Sequence, residues 1–172
     1  VTQDNLKDNL WKELAVWRDR SSFLTKMFEW TKERIFARDH ASTWFISART
    51  WSKTANAEEQ GRTLSGLHSK YVLYLLDESG EIAPSVLRSA EQGLSNCTWG
   101  KILQAGNPTS TNGILYLASA TQRHLWHVVT ITGDPDEPNR SPRINRDWAR
   151  EQINLYGRDN PWVMAYILGQ FP

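Results

Sequence analysis

The N-terminal part of the chain, residues 3–38, contains no Pro or Gly, and its apolar residues recur every three to five positions. This spacing predicts amphipathic helices. A break near Ser21–Ser22 divides the segment into two predicted helices, and acidic and basic residues interleave along the outer face. We therefore expect an N-terminal helical segment, residues 1–40, with a solvated outer surface.

Beyond Arg38 the pattern changes to short apolar runs that are rich in β-branched and aromatic residues. Such runs predict strands. Four strands are predicted, at residues 43–48, 71–76, 102–105 and 125–131. The run at 71–76 is nearly continuous rather than alternating, so we expect a parallel strand covered on both faces.

Helices and loops are predicted between and after these strands. Pro84 can open one helix, and a second is predicted within residues 110–118. Near the end, Asn145 is a candidate N-cap and Gly157 a C-terminal stop, whereas residues 133–142 hold three Pro and form a predicted loop. The alternation predicts a three-layer α/β domain with a mostly parallel sheet and helices on both faces.

The charge balance, the cysteine count and the length of the apolar runs limit the class of protein. The chain has 172 residues, about one domain, and 20 Lys and Arg balance 19 Asp and Glu, so any nucleic-acid contact must be local. Cys97 is the single cysteine, which excludes an internal disulfide. No long apolar run or secretory signal is present, so neither a membrane span nor export is expected. Because the chain starts with Val1 rather than Met, we expect a fragment of a longer protein.

Two adjacent carboxylates, Asp77 and Glu78, follow the apolar run at 71–76. At the carboxyl edge of a parallel sheet such acids face the crevice where ligands bind. The arrangement has the form of a Walker B element, in which the Asp holds Mg²⁺ through water and the Glu activates the attacking water. Alternatively, the pair stabilises the start of the helix that begins near Pro84.

A second strand ends in a polar turn, Gly106-Asn107-Pro108. In nucleotide hydrolases a polar side chain on the strand beside the Walker B strand senses the terminal phosphate. Asn107 is placed for that role, although a simple Gly-Asn-Pro turn explains the same residues.

With these motifs, the chain resembles the large subunit of tailed-phage terminases, the motor that packages DNA into proheads. The resemblance is carried by LLDESGEI at 75–82, AGNPTST at 105–111, YGRDNP at 156–161 and LGQFP at 168–172. Residues 4–14 also look like a helical region of that family, but they are weakly diagnostic.

The resemblance implies a P-loop-NTPase fold of the ASCE type that uses ATP and Mg²⁺. Asp77 would position Mg²⁺ through water, Glu78 would activate water, and Asn107 would report on the γ-phosphate. The implied partners are double-stranded DNA, the small terminase subunit and the portal protein, with a homo-oligomer on the prohead in the host cell cytoplasm. A nuclease domain is expected downstream.

The phosphate-binding loop of that family is missing from these 172 residues. The nearest spacing match, Gly61–Gly66, continues with Leu67-His68 where Lys and Ser or Thr are required. We therefore expect a single partial domain over 1–172: a helical segment (1–40), a strand and helix core (41–132) and a closing segment (133–172). Whether this piece alone is an enzyme stays open.

Several arginines are further candidates. Arg62 is a candidate for the arginine that acts on a neighbouring subunit's ATP, or else a solvated loop residue. Arg140, Arg143 and Arg146 could contact DNA phosphates or a neighbouring subunit, although ordinary surface charge is an equal explanation. Trp44 and Trp51 flank Arg49 and could stack on a base, or else pack in the core.

Other chemistries are disfavoured. His124 and His127 fall near the predicted strand at 125–131, where their odd separation would place them on opposite faces, so no zinc site is expected. Alternative functions are a helicase-like ATPase or a non-catalytic α/β scaffold, and the weakest is a metal-dependent nuclease using Asp77, Glu78 and Glu81.

Overall fold

The computed structural model describes residues 10–52 and 54–172, and the chain divides into two compact units at Thr63 and Leu64. The start of the first predicted helix, residues 3–9, lies outside the described residues. The predicted assignment of 1–172 to one partial domain stays a prediction.

Two short helices open the described part of the first unit: α1 (Lys12–Asp19) and α2 (Ser22–Met27). The predicted break is confirmed, because Ser21 caps α2 by accepting a hydrogen bond from the Leu24 N–H at 3.3 Å. The prediction that helix continues to residue 38 is wrong, because α2 ends at Met27.

A three-stranded antiparallel sheet follows instead, with the order β1 (Phe28–Trp30), β2 (Arg34–Ala37) and β3 (Phe45–Ser47). The residues of β1 and β2 alternate in burial with a period of two, which suits a pleated strand. The Thr31 hydroxyl accepts from the Arg34 N–H at 3.1 Å and closes the hairpin turn. The strand predicted at 43–48 exists, but it pairs here rather than in a parallel sheet. Helix α3 (Ala57–Arg62) completes the unit.

The second unit is built on a strand-helix-strand crossover. Strands β4 (Tyr71–Leu76) and β5 (Trp99–Gln104) are parallel, with Leu76 opposite Gln104, and α4 (Pro84–Gly93) connects them. This confirms the two strands, their parallel pairing and the helix opened by Pro84. The fold is mixed α/β with a small parallel sheet and helices.

The expectation that β4 is covered on both faces is wrong within the described residues. Tyr74 and Leu76 are buried, but Tyr71, Leu73 and Leu75 remain 65%, 51% and 58% exposed. Helix α4 buries Val86, Leu87 and Ala90 against the protein, so the part of the chain seen here supplies an apolar layer for one face only.

The region after β5 differs from its prediction. Helix α5 (Ile114–Tyr116) continues as a wider π turn, Leu117–Thr121, so the predicted helix at 110–118 begins late. The predicted strand at 125–131 is wrong: Arg123–Leu125 is a 3-10 turn, and residues 126–134 form no ladder with another described segment. His124 therefore lies in this turn and His127 follows it, so the two histidines do not occupy opposite faces of a strand.

The closing segment forms a small core of its own. Helix α6 (Arg146–Tyr156) begins at the predicted cap, where the Asn145 side chain accepts from the Trp148 N–H at 3.0 Å, and ends at Gly157 with φ +87°. Helix α7 (Pro161–Val163) continues into a π turn, Met164–Leu168. The buried cluster comprises Ala149, Val163, Ile167 and Leu168. Each helix within the described residues is too short or too polar to span a bilayer.

Candidate functional site

The predicted acids and the predicted amide lie at the same edge of the parallel sheet. Asp77 directly follows β4, and Ala105 directly follows β5. The backbone ladder continues past both strands, since the Ala105 N–H donates to Leu76 O at 3.0 Å and the Ser79 N–H donates to Ala105 O at 2.9 Å. The turn that carries Asp77 and Glu78, residues 77–81, is thus bound to the turn that leads into Asn107.

Three glycines allow these turns to pack backbone against backbone. A Cβ at Gly80 would lie 2.2 Å from the Asn107 carbonyl oxygen, and one at Gly106 would lie 2.7 Å from the Ser79 nitrogen. A Cβ at Gly113 would lie 1.9 Å from the Gly80 carbonyl oxygen. Each distance is shorter than real Cβ contacts allow, so the close approach requires glycine at all three positions.

Ser79 anchors the acidic turn and was missed by the sequence reasoning. Its side chain is fully buried, and its hydroxyl donates to Ala105 O at 3.1 Å. Its own carbonyl accepts from the Leu115 N–H at 3.3 Å, which ties the turn to the start of α5. The available signal was a small polar residue between an acid pair and a glycine, Glu78-Ser79-Gly80.

Glu78 has an uncommon backbone conformation. Its φ of +53° lies in the left-handed region, which costs a non-glycine residue of order 1 kcal/mol. The Glu78 N–H donates to Asp77 Oδ1 at 3.0 Å, which fixes the first carboxylate against the turn. Both residues are exposed at the sheet edge. The strained residue is thus one of two consecutive exposed acids.

The donor set suits a hard cation that is held only partly by protein. Mg²⁺ in nucleotide sites takes one or two carboxylates and keeps water and phosphate oxygens as its other ligands. Asp77 and Glu78 supply carboxylate oxygens and Asn107 adds an exposed amide. Within the residues that the structure describes, no group of three or more His, Cys, Asp or Glu side chains is placed to hold a metal. Asp77 and Glu78 are therefore the residues at this edge whose oxygen atoms are of the kind that Mg²⁺ prefers.

Arg62 lies at the end of α3 in the first unit. Its guanidinium pairs with Glu58, one helical turn earlier, at 2.5 Å, and both side chains are exposed. An exposed pair of this kind contributes little to stability and leaves the arginine accessible. Its role towards a neighbouring subunit stays a prediction.

The arginine group near the C-terminus is largely engaged with the loop at 133–142. Arg146 Nε donates to the Pro135 carbonyl at 2.8 Å, and Arg140 donates to the Ile144 carbonyl. Arg143 is exposed. Two of the three arginines predicted to contact DNA thus also shape the loop, and their DNA contact stays a prediction.

An ion pair missed by the sequence reasoning fixes this loop. Asp134 is buried and pairs with Arg158 of the segment after α6. Burial is the largest influence on the pKa of Asp134 and raises it. The hydrogen bonds from Arg158 and from the Asp136 N–H, with the Arg158 charge, outweigh burial, so this pKa lies below its ordinary value. The Asp134 hydrogen bond correspondingly raises the pKa of Arg158.

The two tryptophans considered for stacking differ in exposure. Trp44 is exposed and meets Phe28 edge to face, with ring centroids 5.1 Å apart, whereas Trp51 is half-buried. Cys97 is partly buried and its thiol donates to the Leu94 carbonyl at 3.0 Å, as a structural cysteine does.

The chain is similar in sequence to one known protein of matching description. No protein-family model matches the chain, and no solved structure matches it. A protein named "Probable terminase, large subunit", from Enterobacteria phage P7, is 28% identical over 166 residues, covering 89% of this chain. The chain spans 30% of the length of that relative. The similarity to a terminase large subunit that the motifs predicted is therefore confirmed.

Proposed function

We propose that this chain is part of the ATPase domain of a phage terminase large subunit, in which ATP hydrolysis is coupled to translocation of double-stranded DNA into a prohead. The single observation that carries the proposal is the binding of the Asp77–Glu78 turn to the Asn107 turn at the carboxyl edge of two adjacent parallel strands. The similarity to the protein named probable terminase large subunit supports it.

Each residue at this edge has a proposed task. Asp77 would hold Mg²⁺ through water, and Mg²⁺ neutralises charge on the phosphates when bound. Glu78 would accept a proton from the attacking water, and Asn107 would contact the terminal phosphate. Because the Asn107 backbone packs against Gly80, a shift of Asn107 would move the acidic turn directly.

The proposed full fold is a P-loop NTPase of the ASCE type, with the phosphate-binding loop outside these 172 residues. Within the described residues, the exposed face of β4 and a parallel sheet of two strands are consistent with a larger sheet. Proposed partners are double-stranded DNA, the small terminase subunit, the portal protein and further copies of the large subunit. The proposed place of action is the host cell cytoplasm.

The test is DNA-stimulated ATP hydrolysis and DNA packaging by the full-length protein that contains this chain. We expect Asn107→Ala to reduce DNA-stimulated turnover by at least tenfold, because the phosphate contact would be lost. Asn112→Ala, an exposed residue later in the same loop, is the matched control and should behave as wild type. Wild-type hydrolysis without packaging of DNA into proheads would favour the helicase-like alternative, and no hydrolysis would favour the scaffold.

A further inference from the structure

One face of the antiparallel sheet in the first unit combines aromatic rings with arginines. The register places Phe36 opposite Phe45 and Arg34 opposite Ser47, so these four side chains share a face. Glu29 lies opposite Phe36 and joins them. We call these five residues the aromatic sheet face.

Arg34 is fixed between the two rings. Its guanidinium carbon lies 4.9 Å from the centroid of the Phe36 ring and 5.9 Å from that of Phe45. One of its N–H groups donates to the Ala41 carbonyl at 3.3 Å. A guanidinium held in this way is an immobile cation on an aromatic platform.

Two further arginines flank the aromatic sheet face. Arg49 is exposed, and its Nε donates to the Ser47 hydroxyl at 3.4 Å, which directs it over the sheet. Arg38 pairs with Glu29 at 3.2 Å and neutralises the one acid that the three described strands contain. On the strands and at the end of β3, Arg34 and Arg49 therefore remain as positive charges beside the rings.

We propose that the aromatic sheet face binds a nucleic-acid strand with unpaired bases. A flat ring can stack on any base that has left the duplex, and arginine pairs with the phosphates between bases. Phe45 is 40% exposed on an edge strand, so a base can reach its ring. A protein partner that needed an apolar surface would be disfavoured by Arg34 and Arg49, whereas a polyanion is attracted by them.

This inference rests on the proposed function for DNA as the natural ligand. It adds a contact with unpaired bases at a DNA end or at an opened stretch of duplex. The binding measurement uses no nucleotide. A failure of ATP hydrolysis would therefore leave its result unaffected, and a failure to bind would leave the acidic site unaffected.

The experiment is fluorescence anisotropy of the full 172-residue chain with labelled oligo-dT of about 12 nucleotides, a typical site size. A duplex of the same length is the second probe. We expect Phe45→Leu, which keeps an apolar side chain but removes the ring, to weaken oligo-dT binding at least fivefold. Phe45→Tyr should restore it. Phe23→Ala is the matched control, because Phe23 is 62% exposed and belongs to α2 rather than to the three strands.

The arginine contribution is measured separately from the salt dependence. For a single strand, log K falls with log salt by about 0.7 per phosphate contact. We expect Arg49→Gln to reduce that slope by about this amount, whereas Lys26→Gln on α2 should not change it. Circular dichroism verifies that each variant is folded.

The outcomes separate clearly. Stronger binding of oligo-dT than of duplex, lost in Phe45→Leu and restored in Phe45→Tyr, supports the proposal. The proposal is overturned if oligo-dT does not bind, or if Phe45→Leu and Phe23→Ala bind oligo-dT with the same affinity. It is also overturned if the duplex binds more tightly than oligo-dT and Phe45→Leu does not change the affinity.

Discussion

Gly113→Ala is the substitution that tests most sharply whether the acidic turn depends on backbone packing. The new Cβ would lie 1.9 Å from the Gly80 carbonyl oxygen, so the start of α5 and the acidic turn must separate by about 1.5 Å to reach ordinary contact. That movement stretches two hydrogen bonds, from Ile114 N–H to Ile82 O (3.0 Å) and from Leu115 N–H to Ser79 O (3.3 Å).

The expected loss of stability follows from these contacts. Overpacking costs about 1–3 kcal/mol and each weakened hydrogen bond about 1 kcal/mol. Alanine also lowers the conformational entropy of the unfolded chain, which offsets about 0.5–1 kcal/mol of this loss of stability. We therefore expect Gly113→Ala to lower the free energy of unfolding by about 2–4 kcal/mol, measured by urea denaturation followed by circular dichroism.

Gly66 provides the matched control. Its φ of +78° favours glycine, but a Cβ there meets nothing within 4 Å, so Gly66→Ala should cost only about 1 kcal/mol. Asparagine separates the two causes, because it tolerates a left-handed backbone. Gly66→Asn should therefore recover stability, whereas Gly113→Asn should be at least as damaging as Gly113→Ala. A Gly113→Ala variant as stable as Gly66→Ala would refute the packing argument.

Three further predictions concern other parts of the second unit. Since the folded pKa of Asp134 is lowered, its ion pair stabilises the fold above the ordinary carboxyl pKa of about 3.9 and is lost as pH falls through the lower folded value. Asp134→Asn should lower the free energy of unfolding by about 1–2 kcal/mol at pH 7, a loss kept small by the partial exposure of Arg158. In urea titrations at acid pH this difference from wild type should vanish. A difference that stays the same at both pH values would contradict the prediction. Glu78→Gly should raise the thermal unfolding midpoint slightly, because glycine adopts the φ of +53° without strain. Glu81→Gly is the control and should lower the midpoint. If both substitutions lowered the midpoint equally, Glu78 would not be strained. Asn145→Ala should cost about 1 kcal/mol by removing the cap of α6, and a denaturation curve equal to wild type would show that the cap is dispensable.

Local patterns predicted the parallel strand pair and its helix well. Residues 71–76, the opening by Pro84 and the cap at Asn145 depend on side chains and neighbours that are close in sequence, and the structure has all three. The placement of Asp77 and Asn107 at one edge follows from parallel pairing, so it too could be predicted.

Features set by distant contacts could not be predicted in the same way. The segment after Met27 has spacings compatible with helix, but the Thr31 turn and pairing with β3 make it a sheet. The run at 125–131 is apolar enough for a strand yet finds no partner strand in the part of the chain that is described. Gly80 and Gly113 are 33 positions apart, and their contact has no local sequence signal.

The most direct test of the central claim separates ATP binding from hydrolysis in the full-length protein that contains this chain. We predict that Glu78→Gln binds ATP as wild type does but hydrolyses it at least a hundredfold more slowly, because the group that takes the proton from water is lost. Glu81→Gln, an exposed acid three positions later, should retain wild-type turnover. Full turnover by Glu78→Gln would contradict the assignment and leave the two carboxylates as ordinary acids at a strand end.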